Sequence, residues 1–221
     1  MVARLLEPEF QLVIHRRSNN GAIRLPELAK QLHSALIRSQ VAPPYLLVGH
    51  SFGALVIRQF AALYPAETAG VLFVDGLPPT TRLPGSLLFK GHLAARTAQL
   101  IAAAQLMGPL FPLLERRFQT VHWALHELAK LPEQHRLPIF WEWLTPQFYG
   151  TLARTLTALP ANLRIASRLP PTAPSLSLWS DYHDPTGTHI EGAGHWIQID
   201  RPELVAAAIR KLRDIIKSKG V

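Results

Sequence analysis

The segment Gly49-His50-Ser51-Phe52-Gly53 matches the pattern G-x-S-x-G, which places a serine hydroxyl between two glycines. An apolar run, Tyr45–Val48, precedes it, and a helical pattern, Ala54–Leu63, follows it. In such a strand–turn–helix setting, a strained turn lifts the serine hydroxyl above the sheet, where it can attack a carbonyl carbon. We therefore predict that Ser51 is a nucleophile. The alternative is a glycine-rich turn whose serine only caps the helix.

A serine hydroxyl is a weak nucleophile at neutral pH, so Ser51 needs a base that accepts its proton. The candidate base is His195, in the segment Gly192-Ala193-Gly194-His195-Trp196, whose small residues leave the loop free to bring an imidazole over the sheet. The amide of Phe52 would lie at the N-terminus of the helix after Ser51, where its N–H can stabilise a developing oxyanion. The alternative for His195 is a loop histidine without a partner.

The elements that must position these groups alternate between strands and helices. Short apolar runs predict buried strands, and apolar residues at helical spacing predict helices between them. This order is typical of an α/β fold with a parallel sheet. The predicted strands are Phe10–Ile14, Tyr45–Val48, Gly70–Val74, Ser175–Trp179 and Thr188–Glu191. The predicted helices are Leu25–Leu36, Ala54–Leu63 and a final amphipathic helix for which Asp200 is the expected N-cap.

The middle of the chain has a different pattern, in which helical pieces are separated by prolines. The candidate helices are Leu88–Met107, Gln119–Leu131 and Pro138–Thr157. We interpret this region as a helical insertion rather than a continuation of the sheet. Residues 1–76 and 170–221 are therefore expected to form the α/β core, and residues 77–169 the insertion.

Three stretches together resemble the α/β-hydrolase superfamily, most closely its esterase- and lipase-like members with a helical cap. They are Tyr45–Gly53, Tyr64–Asp75, and Gly192–Gln198 with Arg201–Glu203. The resemblance implies the α/β-hydrolase fold, a mostly parallel sheet flanked by helices, with residues 77–169 as the cap. It also implies a carboxylesterase-like serine hydrolase that acts on a small ester or related acyl substrate. A Ser-His-acid triad would carry the reaction without a cofactor, and the order Ser before His agrees with this superfamily.

The resemblance leaves two positions open for the acid that orients His195. In most relatives the acid follows the penultimate strand, where Asp181 and Asp184 follow Ser175–Trp179. In others, haloalkane dehalogenases among them, it follows the strand after the nucleophile helix, where Asp75 lies. The alternative role of Asp75 is to accept hydrogen bonds from local backbone N–H groups. We predict Asp75 first and Asp181 second.

The sequence departs from the family pattern before Ser51. Relatives usually supply an oxyanion N–H from a His-Gly loop after an early strand, and no His-Gly pair precedes Ser51 here. Phe10–Ile14 looks like the strand that follows the missing one. We expect a chain shortened at its N-terminus: a truncated gene model, a fragment, or a member with weak or lost activity. The alternative function is therefore a catalytically weak or inactive α/β-hydrolase-like binding protein.

Composition excludes several other classes of protein. The chain has no cysteine, so a thiol nucleophile, disulfides and cysteine-bound metals are excluded. Its 23 Lys and Arg against 15 Asp and Glu give a net charge of +8, and a basic interaction module is the third alternative. No nucleic-acid motif accompanies this charge, so we predict no nucleic-acid partner. No signal peptide or membrane-spanning run is recognised, so we expect a cytoplasmic protein with no integral membrane association.

Two weaker patterns fall in the insertion. His122 and His126, with Glu127, have a spacing that two ligands of a metal ion can have, but an amphipathic helix explains it better and no metal is predicted. Aromatic side chains that could line an acyl pocket under the cap are equally suited to packing. They are Phe140, Trp141, Trp143 and Phe148.

Overall fold

The structure is a computed structural model that describes residues 1–16, 23–180 and 187–218. The chain divides into two compact units. The first contains Met1–Arg16, Arg24–Thr81 and Ala161–Val221, and the second is built on Arg82–Pro160. The strands lie in the first unit.

The sheet has four strands in the order β1-β2-β3-β4, and its three pairings are parallel. The parallel sheet that the alternating pattern predicts is therefore confirmed. The strands are β1 (Tyr45–His50), β2 (Thr68–Val74), β3 (Ser175–Trp179) and β4 (Thr188–His189). The register pairs His50 with Val74 and Val74 with Leu178, so the carboxyl ends of β1, β2 and β3 lie level with one another.

Ten α-helices and one short 3₁₀ turn, Pro65–Glu67, accompany the strands in the described residues. The helices before β3 are α1 (Val2–Leu6), α2 (Leu25–Arg38), α3 (Phe52–Leu63), α4 (Gly85–Ala103), α5 (Met107–Arg117), α6 (Gln119–Ala129), α7 (Glu133–Trp143) and α8 (Pro146–Ala166). After β4 come α9 (Ile197–Asp200) and α10 (Pro202–Ser218). The predicted helices at Leu25–Leu36 and Ala54–Leu63 are thus confirmed with small shifts at their ends.

Helices cover both faces of the sheet in the first unit. All residues of β2 are buried, and alternate side chains pack on opposite faces. Leu72 and Val74 pack in one core with α10, whereas Val71 and Phe73 pack in a second core with α2 and α3. The apolar run of β2 is therefore explained by burial on both faces.

The predicted strand Phe10–Ile14 is wrong, because this segment forms no strand. Phe10 packs against the core, and the Arg213 guanidinium lies 5.3 Å from the centre of its ring. The residues after Phe10 are exposed, Ile14 by 83%. An apolar run becomes a strand only where a neighbouring strand pairs with its backbone, and none does so here within the described chain.

The segment before Phe10 is fastened to α10 by charged groups. Glu9 accepts hydrogen bonds of 2.7 Å from both Arg210 and Arg213, and Arg210 also donates to the carbonyl of Leu5. These two guanidinium groups hold the pKa of Glu9 below its usual value. The contact explains part of the basic excess near the C-terminus, because two of these cations hold the N-terminal segment in place.

The second unit is helical, but two predicted helices are divided differently. The expected helix Leu88–Met107 ends at Ala103, because Gln105 turns the chain with a φ of 57° before α5 begins. The expected helix Pro138–Thr157 is two helices, since α7 ends at Trp143 and α8 begins at Pro146. A proline suits the first turn of a helix, where its missing N–H removes no hydrogen bond.

The strands and helices near the end of the chain agree with their predicted places. β3 has its predicted bounds, whereas β4 is limited to Thr188–His189. The helix α10 begins at Pro202, and the carbonyl of Arg201 accepts its first hydrogen bonds. Arg201 rather than Asp200 therefore holds the N-cap position, which corrects the expected cap. Among the described residues, no helix combines the length and apolarity that crossing a bilayer requires.

Replacing Leu212 by alanine should destabilise the first unit strongly. The Leu212 side chain is fully buried and packs against β2, so its truncation leaves a cavity and should cost about 2–5 kcal/mol. Leu204→Ala on the same helix is the control, since Leu204 is 40% exposed and its loss should cost about 0.5 kcal/mol. Urea unfolding measures both, and equal losses for the two variants would contradict the packing described.

Candidate active site

Ser51 lies in a strained turn between β1 and α3. Its φ is 52° and its ψ is −120°, a left-handed conformation that residues other than glycine rarely adopt. Hydrogen bonds fix this turn: the Ser51 N–H donates to the carbonyl of Val74 at 3.2 Å, and its carbonyl accepts from Leu77 at 3.1 Å. Strain of this kind persists only where surrounding contacts determine the backbone.

Close backbone approach explains two glycines beside the turn. A Cβ added to Gly49 would lie 2.7 Å from the carbonyl carbon of Gly53, so the two glycines of the motif touch. A Cβ added to Gly76 would lie 2.6 Å from the Cβ of Ala54. Only glycine fits at these two positions unless the backbone moves.

Asp75 and His195 are joined by a short hydrogen bond. The distance from His195 Nδ1 to Asp75 Oδ2 is 2.5 Å. Asp75 follows β2 directly, and its φ of 41° is also left-handed. Because a carboxylate accepts, His195 Nδ1 carries the proton and donates it to Asp75. The lone pair of the neutral imidazole is then on Nε2, the atom that can act as a base.

The remaining oxygen of Asp75 is also satisfied. Asp75 is 1% exposed, and its Oδ1 accepts from both the amide and the hydroxyl of Ser180, each at 3.0 Å. Burial would raise the pKa of Asp75, but the hydrogen bonds from His195 and Ser180 outweigh it and hold the pKa below its usual value. Asp75 is therefore ionised at neutral pH.

The loop that carries His195 is held by neighbouring groups. Asp200 Oδ2 accepts the N–H of Gly194 at 2.8 Å, and Gly192 turns the chain with a φ of 67°. On the other side, His50 Nε2 lies 2.8 Å from the carbonyl oxygen of His195. These contacts fix the backbone on both sides of the imidazole.

Comparison with known proteins decides the family. The sequence profile described as the Alpha/beta hydrolase family matches residues 4–208, which is most of the chain. The chain belongs to the alpha/beta hydrolase family. Its parallel sheet flanked by helices is the fold of this family, so the predicted fold class is confirmed.

Solved structures show the same fold at low sequence identity. Cfl2 of Burkholderia cenocepacia is 21% identical, with a TM-score of 0.66 over 97% of this chain and 82% of that one. A thermophilic esterase of Thermogutta terrifontis is 17% identical, with a TM-score of 0.63 over 97% of this chain and 84% of that one. At this level of identity the likeness concerns the fold alone.

A curated relative matches a shorter part of this alpha/beta hydrolase. It is the "Putative carbamate hydrolase RutD" of Escherichia coli (strain K12 / DH10B), 32% identical over 80 residues. The match covers 33% of this chain and 30% of RutD. The chain thus aligns with less than a third of that relative.

The structure brings some predicted residues of this alpha/beta hydrolase together and not others. Asp75 and His195 are in contact, and Phe52 supplies the first amide of α3 beside Ser51. In the part of the chain that the structure describes, no hydrogen bond joins the Ser51 hydroxyl to His195. In hydrolytic enzymes such a bond often tightens only in the substrate complex. Asp181 and Asp184 lie outside the described residues.

Two residues of this site were not predicted as part of it. Ser180 follows the last residue of β3 as Asp75 follows the last residue of β2, and the parallel pairing of these two strands could have pointed to it. His50 is the variable residue of the G-x-S-x-G motif, and its contact with His195 joins positions 145 residues apart. No local pattern in the sequence indicates a contact of that separation.

His122, His126 and Glu127 do not form a metal-binding cluster in the part of the chain that the structure describes. Within residues 1–16, 23–180 and 187–218, no three His, Cys, Asp or Glu side chains gather as a metal would require. Glu127 instead pairs with Lys130 at 2.8 Å. The four aromatic residues form two ring pairs, Phe140 with Trp141 and Trp143 with Phe148, and Trp141 is 64% exposed.

Replacing Gly49 by alanine should disrupt the turn at Ser51. The added Cβ would collide with the backbone of Gly53, which cannot move as a side chain can, so we expect a loss of about 1–3 kcal/mol or more. Gly53→Ala is the control, because its Cβ meets no atom within 4 Å and alanine favours a helix. Urea unfolding of both variants measures the difference, and a stable Gly49→Ala would disprove the close approach.

Proposed function

We propose that this chain is a serine hydrolase in which Ser51 is the nucleophile, His195 the general base and Asp75 the acid that orients it. The observation that carries the proposal is the 2.5 Å hydrogen bond between His195 Nδ1 and Asp75 Oδ2, formed beside a serine in a strained turn. This pairing puts the basic lone pair on Nε2, as a Ser-His-acid triad requires. Asp75 is therefore preferred to Asp181.

In the proposed first step, Ser51 Oγ attacks the carbonyl carbon of the substrate and its proton moves to His195 Nε2. Asp75 stabilises the imidazolium that forms, because it is ionised and already bonded to Nδ1. The Phe52 N–H, at the positive end of α3, donates to the oxyanion of the tetrahedral intermediate. The imidazolium then protonates the leaving group as its bond to carbon breaks.

The second step releases the acyl group from Ser51. Water attacks the acyl-enzyme carbonyl while His195 Nε2 removes a proton from it. Collapse of the second tetrahedral intermediate breaks the bond to Ser51 Oγ, which takes the proton back from His195. The products are the free acid and a regenerated serine, and no cofactor takes part.

The proposed substrate is a small ester or a related acyl compound. Two solved structures of the same fold are described as esterases, from Thermogutta terrifontis and from a marine microorganism. The partial relative RutD is described as acting on a carbamate, which is also an acyl compound. These descriptions apply to those proteins, and they support an acyl-transfer reaction here.

Residues 77–169 are proposed to be the cap that selects the substrate. The chain leaves the sheet directly after Asp75, at the carboxyl end of β2, and the helical unit Arg82–Pro160 follows before β3 begins. Loops at the carboxyl ends of parallel strands are where ligands bind in open α/β sheets. An insertion at this point of the chain is therefore suited to contact substrate.

Labelling with a fluorophosphonate probe tests the nucleophile. The activated Ser51 hydroxyl should attack phosphorus and displace fluoride while the hydroxyl proton is lost, so the wild-type protein should gain the mass of one probe less hydrogen fluoride. Ser51→Ala should not be labelled, and His195→Ala should be labelled at least about 10²-fold more slowly, since general-base catalysis contributes about 10²–10⁴-fold. Intact-protein mass spectrometry measures the labelling.

Ser39→Ala is the matched control, because Ser39 caps the end of α2 and its hydroxyl bonds only to a backbone carbonyl. Its labelling should equal that of the wild type. A folded wild-type protein that reacts no faster than Ser51→Ala would refute the proposal. It would favour a non-catalytic binding protein of the same fold instead.

Comparing Asp75→Asn with Asp181→Asn tests the acid. An amide at position 75 would offer an N–H to His195 Nδ1, and this favours the tautomer with the proton on Nε2, which cannot accept one from Ser51. We expect ester hydrolysis by Asp75→Asn to fall by about 10⁴-fold in kcat, as this change does in a Ser-His-Asp triad. Asp181→Asn should retain the wild-type kcat; the opposite result would reassign the acid.

A further inference from the structure

His50 lies at the end of β1, directly before Ser51, and contacts the loop of His195. Its Nε2 is 2.8 Å from the carbonyl oxygen of His195, and the two imidazole centres are 4.6 Å apart. A carbonyl oxygen only accepts, so Nε2 of His50 carries the proton and donates it. The contact thus fixes the His50 tautomer as well as the position of the His195 carbonyl.

His50 keeps this hydrogen bond without becoming charged. Burial lowers the pKa of His50 to about 4, although its hydrogen bond with the His195 carbonyl and the charge of Asp75 oppose the shift. His50 is therefore neutral at neutral pH. A neutral donor places no cation beside His195, which has to accept a proton during the proposed reaction.

We propose that His50 is a positioning residue that fixes the base loop relative to the nucleophile. The inference rests on the proposed function, because it assumes that Ser51 and His195 react together. β1 is a strand of the sheet, so a donor on its last residue gives the His195 carbonyl a fixed point next to Ser51. Asp75 sets the orientation of the imidazole, whereas His50 sets the distance of the His195 backbone from the turn.

Replacing His50 tests this role by separating kcat from KM. In His50→Ala the His195 loop loses its fixed point, and a misplacement of about 1 Å can cost about 10²-fold in rate. We expect kcat for an activated ester to fall by about 10–100-fold while KM changes less than about twofold. In His50→Gln the side-chain amide can donate from a position close to that of the imidazole Nε2, so kcat should recover to within about threefold.

The control for losing a partly buried histidine is His33→Ala. His33 bonds to Glu67 and stacks on Tyr64 away from the proposed triad, so its loss should leave kcat unchanged. The pH at which activity reaches half its maximum should be the same in wild type and His50→Ala, because the base and its acid partner are unaltered. A shift of that midpoint, or no rescue by glutamine, would overturn a positioning role.

A measurement without turnover separates this inference from the proposed function. The His195 Nδ1 proton, held between His195 and Asp75, should give a low-field proton resonance. It should broaden or move in His50→Ala and persist in His50→Gln and His33→Ala, with matched far-ultraviolet circular dichroism showing that each variant is folded. An unchanged resonance in His50→Ala would overturn the inference even if the wild type labels at Ser51. A wild type that does not label would refute the proposed hydrolase and with it the catalytic purpose of the contact, whereas the resonance would still report whether His50 positions the His195 loop.

Discussion

The buried carboxylate of Asp75 is the constraint on which the rest of the site depends. A charge removed from water is tolerated only when hydrogen bonds replace its hydration. Asp75 receives donors from the amide and hydroxyl of Ser180 and from His195 Nδ1, so satisfying one carboxylate joins β2, the end of β3 and the His195 loop. The same three donors keep Asp75 ionised, and an ionised Asp75 in turn decides which nitrogen of His195 is protonated. Stability and proposed chemistry therefore depend on the same bonds.

The register of the parallel sheet makes this arrangement possible. His50, Val74 and Leu178 lie side by side, so Ser51, Asp75 and Ser180, which follow the last residues of their strands, come to the same edge of the sheet. Side chains alternate between the faces of a strand, and a shift of one residue would turn each of them to the opposite face. Burial on both faces of β2 fixes the register, since Leu72 and Val71 fill different cores. The hydrophobic packing of β2 therefore determines where the polar residues at the ends of the strands lie.

Local patterns predicted the strands at Tyr45–Val48 and Ser175–Trp179 and indicated Ser51 and His195 as candidate site residues, because each pattern depends on neighbours in the sequence. The choice between Asp75 and Asp181 could not be made locally, since the partner of Asp75 is 120 residues away. Phe10–Ile14 failed for a related reason: its pattern suits a strand, but a strand also needs a paired neighbour, which the pattern does not supply. The ends of the helices in the second unit depend on turns such as the one at Gln105, where a residue other than glycine adopts a positive φ.

Asp200 shows how a contact across a loop can outweigh a local preference. Aspartate before a proline is a favourable start to a helix, yet the N-cap position belongs to Arg201 and the Asp200 carboxylate accepts the N–H of Gly194. With His50 on the carbonyl of His195, the backbone is held on both sides of the imidazole. The rotation of the His195 side chain is the remaining degree of freedom, and the hydrogen bond to Asp75 restricts it. The proposed base is thus held by three separate partners, so it loses its conformational entropy on folding rather than in the reaction, which favours efficient proton transfer.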